Sequence, residues 1–238
     1  MLKKIRYEKY EIFSIDSNYL QLGIQIVNKK YKIIKKLKDT KRNFVAIIEI
    51  NNKKYVFKEP RNEYRIPQRK IMTLLKKGEA VTTLKNINRL NHEGFSDFVK
   101  PLLAITSRKF GMIEYSGFLM EYFEGIIDIN KNLEFVKLVK KMHKNRVYHG
   151  DFNPGNFLVK DNIIKIIDTQ AKKMFFGKYR AHYDMLTMKM DSYKEMKYPY
   201  EKDIFYYFAL GVKKLKRLKF IEKIKEKKKK LRDKGWKI

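Results

Sequence analysis

The sequence predicts an α+β chain in two parts, a small antiparallel sheet over residues 1–119 and a mainly helical part over residues 120–238. Three observations lead there. β-Prone runs separated by short polar turns crowd residues 31–58. Apolar residues at helical spacing dominate after residue 133. Between the helical stretches, residues 149–168 read as turn, short strand, tight turn, short strand and a terminal acid.

Taken in order, Tyr10–Ile15 and Leu20–Ile26 carry short alternating runs that suit strands or a strand–helix lead-in. Tyr31–Leu37, Phe44–Ile50 and Lys53–Lys58 form a predicted meander, with turns at Lys38–Asn43 and Asn51-Asn52. Pro60–Pro67 reads as a linker. Gln68–Leu90 reads as helix interrupted at Gly78, because Val81, Leu84, Ile87 and Leu90 recur near helical period after it. Two more strands are expected over Phe98–Ile105 and Gly117–Gly125. Leu133–Asn145 is an amphipathic helix with Phe135, Leu138, Val139 and Met142 on one face. A further helix begins at Tyr183–Met188, and the aromatic and aliphatic residues of 201–212 predict a core helix.

Composition bounds the function. The 238 residues are 44% hydrophobic and 14% aromatic, enough to build a core. There is no cysteine, so disulfide and thiolate chemistry are excluded and a reducing compartment fits. The N-terminal residues turn polar too soon for a signal segment, and no apolar run has spanning length, so a cytoplasmic protein is expected. Lys and Arg number 56 against 26 Asp and Glu, a net charge of +30 that calls for an anionic partner: nucleic acid, an anionic membrane or a phosphorylated substrate. Residues 213–238 concentrate this charge around an apolar stripe of Leu215, Leu218, Ile221 and Ile224. Such a segment suits an anionic membrane surface, or a helix docked on its own lobe with a solvated lysine face.

The chemistry concentrates in residues 149–168. Asp151 precedes Asn156 by five residues, Asp161-Asn162 makes a hairpin turn, and Asp168 closes the second strand. Three oxygen-bearing side chains would converge at one edge of a small hairpin. A turn-rich hairpin with Asp and Asn as turn formers is the plainer reading. The spacing resembles the kinase catalytic and metal loops, which implies a bilobal protein-kinase-like fold with a small sheet N-lobe and a helical C-lobe. On that resemblance Asp151 is the base, and Asn156 and Asp168 are ligands for Mg²⁺, a hard ion that takes oxygen donors. Lys58, ending the third meander strand, would reach the phosphates of ATP. Glu79 would pair with it, with Glu63 as rival. Met120–Gly125 resembles the hinge, where the main chain of Glu121 and Phe123 would face adenine. His149 suits a packing role. Asp184 either braces the catalytic loop through its backbone or is a helix N-terminal acid.

Further segments narrow the resemblance. Ile47–Lys58, Leu74–Glu79, Asn91-His-Glu-Gly94, Met120–Gly125, the Gly150–Phe157 loop and Lys165–Asp168 together resemble the lipopolysaccharide core heptose(II) kinase family over roughly residues 30–210. The resemblance implies transfer of the ATP γ-phosphoryl group to a heptose hydroxyl of the lipopolysaccharide inner core. The acceptor is then a glycolipid, met by a monomer peripheral on the inner face of the inner membrane, with the basic C-terminal segment on anionic lipid and no nucleic-acid partner. Two features depart from conventional kinases. Thr40, Lys41 and nearby N–H groups stand where a glycine-rich phosphate loop is usual, and Asp168 is followed by Thr-Gln. Two other readings remain at this stage, an atypical small protein kinase or ATPase working beside RNA and a non-catalytic basic scaffold.

Overall fold

The computed structural model describes residues 2–218. The chain divides into two compact units, Met1–Phe123 and Glu124 onward.

The first unit holds β1 (Lys3–Tyr7), β2 (Tyr10–Ser14), α1 (Asn18–Val27), β3 (Lys32–Asp39), β4 (Phe44–Ile50), β5 (Lys53–Glu59), α2 (Asn62–Arg65), α3 (Pro67–Met72), α4 (Glu79–His92), β6 (Pro101–Lys109) and β7 (Met112–Glu121). Its seven strands form one antiparallel sheet in the order β1-β2-β6-β7-β5-β4-β3. The predicted meander is β3-β4-β5. Its second turn, Asn51-Asn52, has φ of 50° and 59°, the left-handed pair that tight hairpins need and that Asn tolerates. Leu20–Ile26 lies within a helix, α1, which settles the choice left open by its short apolar run. Leu20, Leu22 and Ile26 are buried there, and Gly23 lets the helix approach Ile12 so closely that a Cβ would lie 2.5 Å from its Cγ2. The strand β1 has no strong signal in Lys3–Tyr7, a basic edge strand. The stretch read as a linker contains α2.

Strand alternation divides the apolar residues between two faces of the sheet. Phe44, Ala46, Ile48 and Ile50 of β4 and Tyr55 and Phe57 of β5 join Leu20 and Ile26 of α1 in one core. On the other face Ala80, Val81 and Leu84 of α4 pack with Ala104 and Phe118. Lys58 follows Phe57 and is paired in register with Phe118, so it belongs to the α4 face.

The second unit contains α5 (Asn132–Lys144), β8 (Val147–Tyr148), β9 (Phe157–Lys160), β10 (Ile163–Ile166), β11 (Lys172–Lys173), α6 (Tyr179–Asp191) and α7 (Ile204–Lys216). β9 and β10 form the expected hairpin around Asp161-Asn162, with φ of 49° and 64°. β11 pairs with β8. Phe135 of α5 stacks on Phe157 at 4.5 Å, and Phe152 meets Phe157 edge-on at 5.6 Å. All three rings are fully buried. One expectation fails: the helix over 201–212 is not a core helix. In α7 only Ala209 and Lys213 are buried, while Ile204, Tyr207 and Phe208 are more than half exposed. The apolar face predicted for the basic C-terminal stretch begins at Leu215 and Leu218, both exposed; Ile221 and Ile224 lie outside the described residues. Among the described residues no helix is long and apolar enough to cross a membrane.

Gly78 opens α4 at φ 91°, ψ 161°, a region open essentially to glycine alone. A Cβ there would also lie 2.5 Å from Ile113 Cδ1. Gly78→Ala is expected to lower stability by about 1–3 kcal/mol, read as a shift of the urea midpoint at unchanged slope.

Candidate functional site

In the first unit the site is a lysine held by an acid. Lys58 Nζ lies 3.5 Å from Glu79 Oε1, and both side chains are largely buried. The lysine also sits 5.6 Å from the centre of the Phe118 ring. The rival, Glu63, has a different role. Its Oε1 accepts the Glu79 N–H at 2.7 Å, capping α4, whose N-cap residue Gly78 offers no side chain. Glu63 thus fixes the start of the helix that presents Glu79 to Lys58. Burial pushes the Glu63 carboxyl up, offset only in part by the Glu79 N–H bond.

The turn between β3 and β4 holds Thr40 and Lys41. Thr40 Oγ1 donates to Asn43 O at 3.1 Å and accepts the N–H groups of Arg42 and Asn43. The Thr40 N–H donates to Asn43 O at 2.9 Å. Arg61 ties the turn down, donating to Glu59 Oε2 at 3.0 Å, Asp39 Oδ1 at 2.9 Å and Thr40 O at 3.3 Å. Arg61 holds the Asp39 carboxyl below its ordinary range, with Lys36 adding to the effect. The turn is therefore closed on itself, with the hydroxyl of Thr40 engaged and the Lys41 side chain exposed. Arg61 has no local signature and falls in the stretch read as a linker. Glu121 ends β7 and exchanges two bonds with Lys100: its N–H donates to Lys100 O and its Oε1 accepts from Lys100 N–H, each at 3.0 Å. Phe123 is the last residue of this unit.

In the second unit Asp184 anchors the loop. This carboxylate is 1% exposed and accepts the N–H of His149 at 2.7 Å and of Gly150 at 2.9 Å. It braces the loop backbone, one of the two roles its sequence position allowed. His143 Nε2 lies 3.2 Å from Asp184 Oδ2, and His143 Nδ1 lies 2.7 Å from the Tyr200 hydroxyl. Burial pushes the Tyr200 hydroxyl up, keeping it protonated. Sequence reasoning missed both His143 and Tyr200. His143 extends the buried face of α5, one residue after Met142, but its partner is 41 residues away and has no local signature.

The loop so anchored carries Asp151, which is exposed. Asn156 is buried, and its amide nitrogen donates to Asp151 O at 2.7 Å and lies 3.5 Å from Asp151 Oδ2. Committing that nitrogen to Asp151 fixes which end of the side chain is the oxygen donor. Asp168 is held from both sides: Ile167 N–H donates to Asn156 O at 2.9 Å, and Thr169 Oγ1 donates to His149 O at 2.9 Å. Asp168 itself has φ 56°, the left-handed region that Asp tolerates. His149 is 4% exposed and packs its ring near Phe152 and Phe157. Burial holds its imidazole below the usual range against the pull of the Asp184, Asp151 and Asp168 carboxylates. Among the described residues no three His, Asp or Glu side chains form a metal cage by themselves. An amide oxygen and one carboxylate, both oxygen donors, fit Mg²⁺ that completes its shell with phosphate and water.

Asp184→Asn offers one acceptor oxygen to two N–H groups. It is expected to cost about 1–3 kcal/mol and to speed amide hydrogen exchange at His149 and Gly150. Glu63→Ala removes a helix cap and should cost about 0.5–2 kcal/mol, whereas Glu63→Gln keeps the acceptor. With its pKa raised, Glu63 binds its proton more tightly in the folded chain, so native stability is lost as pH rises from the ordinary carboxylate range through the raised value. Glu63→Gln should flatten the stability–pH profile across that window.

The family model described as lipopolysaccharide core biosynthesis protein (WaaY) matches residues 1–227. The chain is 26% identical over 239 residues to the Escherichia coli protein named lipopolysaccharide core heptose(II) kinase WaaY, covering 95% of this chain and 100% of that relative. The chain belongs to the WaaY family of lipopolysaccharide core biosynthesis proteins.

Proposed function

We propose that the chain is a protein-kinase-like phosphotransferase that moves the γ-phosphoryl group of ATP to a heptose hydroxyl of the lipopolysaccharide inner core. The observation that carries this reading is the loop fastened by Asp184, on which Asp151 stands exposed beside Asn156 with Asp168 tied in by its neighbours. The name of the Escherichia coli relative supports the acceptor.

In this mechanism Asp151 accepts a hydrogen bond from the acceptor hydroxyl, aligns its oxygen and takes up its proton. The new bond joins that oxygen to the γ-phosphorus, and the bond from the γ-phosphorus to the β,γ-bridging oxygen breaks, so ADP leaves. Asn156 and Asp168 would hold Mg²⁺, which when bound would neutralise phosphate charge. Lys58, held in place by Glu79, neutralises phosphate oxygens. Lys41 adds a second cation from the turn that Thr40 and Arg61 shape. The main chain at Glu121 and Phe123 is assigned to the adenine edge. The acceptor places a monomeric enzyme at the inner face of the inner membrane, where the +30 charge favours anionic lipid.

The test is transfer of label from γ-labelled ATP into a cell-envelope extract, with products separated into glycolipid, protein and nucleic acid. Label should enter glycolipid and fall by at least about 100-fold in Asp151→Asn, within the range for loss of a general base. Asp151-dependent label in protein, or equal transfer by the variant, would contradict the proposal.

A further inference from the structure

The helix α7 is turned inside out for a helix of a globular unit. At 100° per residue, Ile204, Phe208 and Leu215 fall on one side of its axis, with Tyr207 at the margin. All four are more than half exposed, as is Leu218 just past the helix end. The opposite side, Ala209 and Lys213, is the buried one. A stripe at helical period normally faces the core. Here it faces solvent, which marks an interaction surface.

The same surface continues into residues 172–180, the segment that follows Asp168. Phe175 is 89% exposed and Phe176 63% exposed. Phe176 meets Phe205 at 5.7 Å and Phe208 at 6.3 Å, so this segment and α7 form one aromatic patch. Gly177 permits the approach, since a Cβ there would lie 2.3 Å from the Phe205 ring. Around the aromatics stand Lys172, Lys173, Lys178, Arg180 and Lys214, all exposed. Neither 172–180 nor 204–218 contains an acid. Of the flanking acids, Asp203 caps α7 through the Tyr206 N–H and Asp191 pairs with Lys213 and Arg217, while Glu201 stands exposed before the helix.

We infer that residues 172–180 and the outward face of α7 form a docking surface for an anionic lipid bilayer, with the aromatic and aliphatic side chains entering the headgroup region and the cations meeting lipid phosphates. Apolar side chains beside lysine and arginine on a polar flank are the chemistry of interfacial binding. Protein partners of ordinary composition would leave an acid-free rim unmatched, whereas an anionic leaflet matches every cation at once. The surface starts four residues beyond Asp168, so docking here brings the proposed reaction centre to its glycolipid acceptor. Only that last consequence rests on the kinase reading.

The test uses the full chain and vesicles of phosphatidylcholine, alone or mixed with phosphatidylglycerol, without ATP or acceptor. With Trp236, the single Trp of the chain, replaced by Phe, a Phe175→Trp reporter should shift to shorter wavelength on anionic vesicles and stay unchanged on neutral ones. Phe175→Ser with Ile204→Ser should weaken flotation with anionic vesicles by at least about tenfold. Lys172→Glu with Lys173→Glu should weaken it by about 25-fold or more, about fivefold for each cation lost. All variants should keep wild-type urea midpoints and transfer to detergent-dispersed acceptor. The inference is overturned if the reporter stays unshifted while the chain floats, if the variants float like wild type, or if sedimentation shows a dimer that the same substitutions dissolve. A wild-type chain that docks on anionic vesicles as expected but transfers nothing to detergent-dispersed acceptor would sink the kinase proposal and leave this one standing.

Discussion

The loop at 149–156 depends on one carboxylate accepting two backbone N–H groups. Asp184 is buried, and a buried charge is tolerable only when its oxygens are matched. His149 and Gly150 supply the N–H donors, and His143 closes the remaining side. The bond from α6 to the loop therefore works both ways: the acid needs the loop in this conformation, and the loop's amides need the acid. Gly150, at φ 92°, lets the chain turn away at once, so Asp151 emerges into solvent while the ring of His149 stays beneath among Phe152 and Phe157. An exposed acid on a rigid, apolar footing follows from that geometry.

The first unit reaches the same end with strand alternation. Phe57 is committed to the core shared with α1, which turns Lys58 toward α4. Gly78 and Glu63 together decide where α4 starts, and hence where Glu79 meets the lysine. The β3–β4 turn replaces glycine flexibility with a hydroxyl that closes the turn and an arginine that fastens it to β5. Such a turn is preorganised rather than pliable, and it leaves the lysine side chain exposed.

Much of this could be read from the residues because the signals were local. The Asn51-Asn52 and Asp161-Asn162 turns, the β4 alternation and the α5 stripe are each written within one short element. What escaped was non-local. Arg61 bonds back across 22 residues to Asp39, and Tyr200 across 57 to His143. The helix α7 was misread for a different reason. Its apolar content is that of a core helix, and periodicity shows that a stripe exists without showing which way it faces.

Whether this chain phosphorylates a core sugar is decided by phosphorus NMR of the lipopolysaccharide core from cells with the chain deleted and then restored. One phosphomonoester signal, coupled to a heptose proton, should disappear on deletion and return with the wild-type chain but not with Asp151→Asn. Identical phosphorus spectra in all three strains would contradict it.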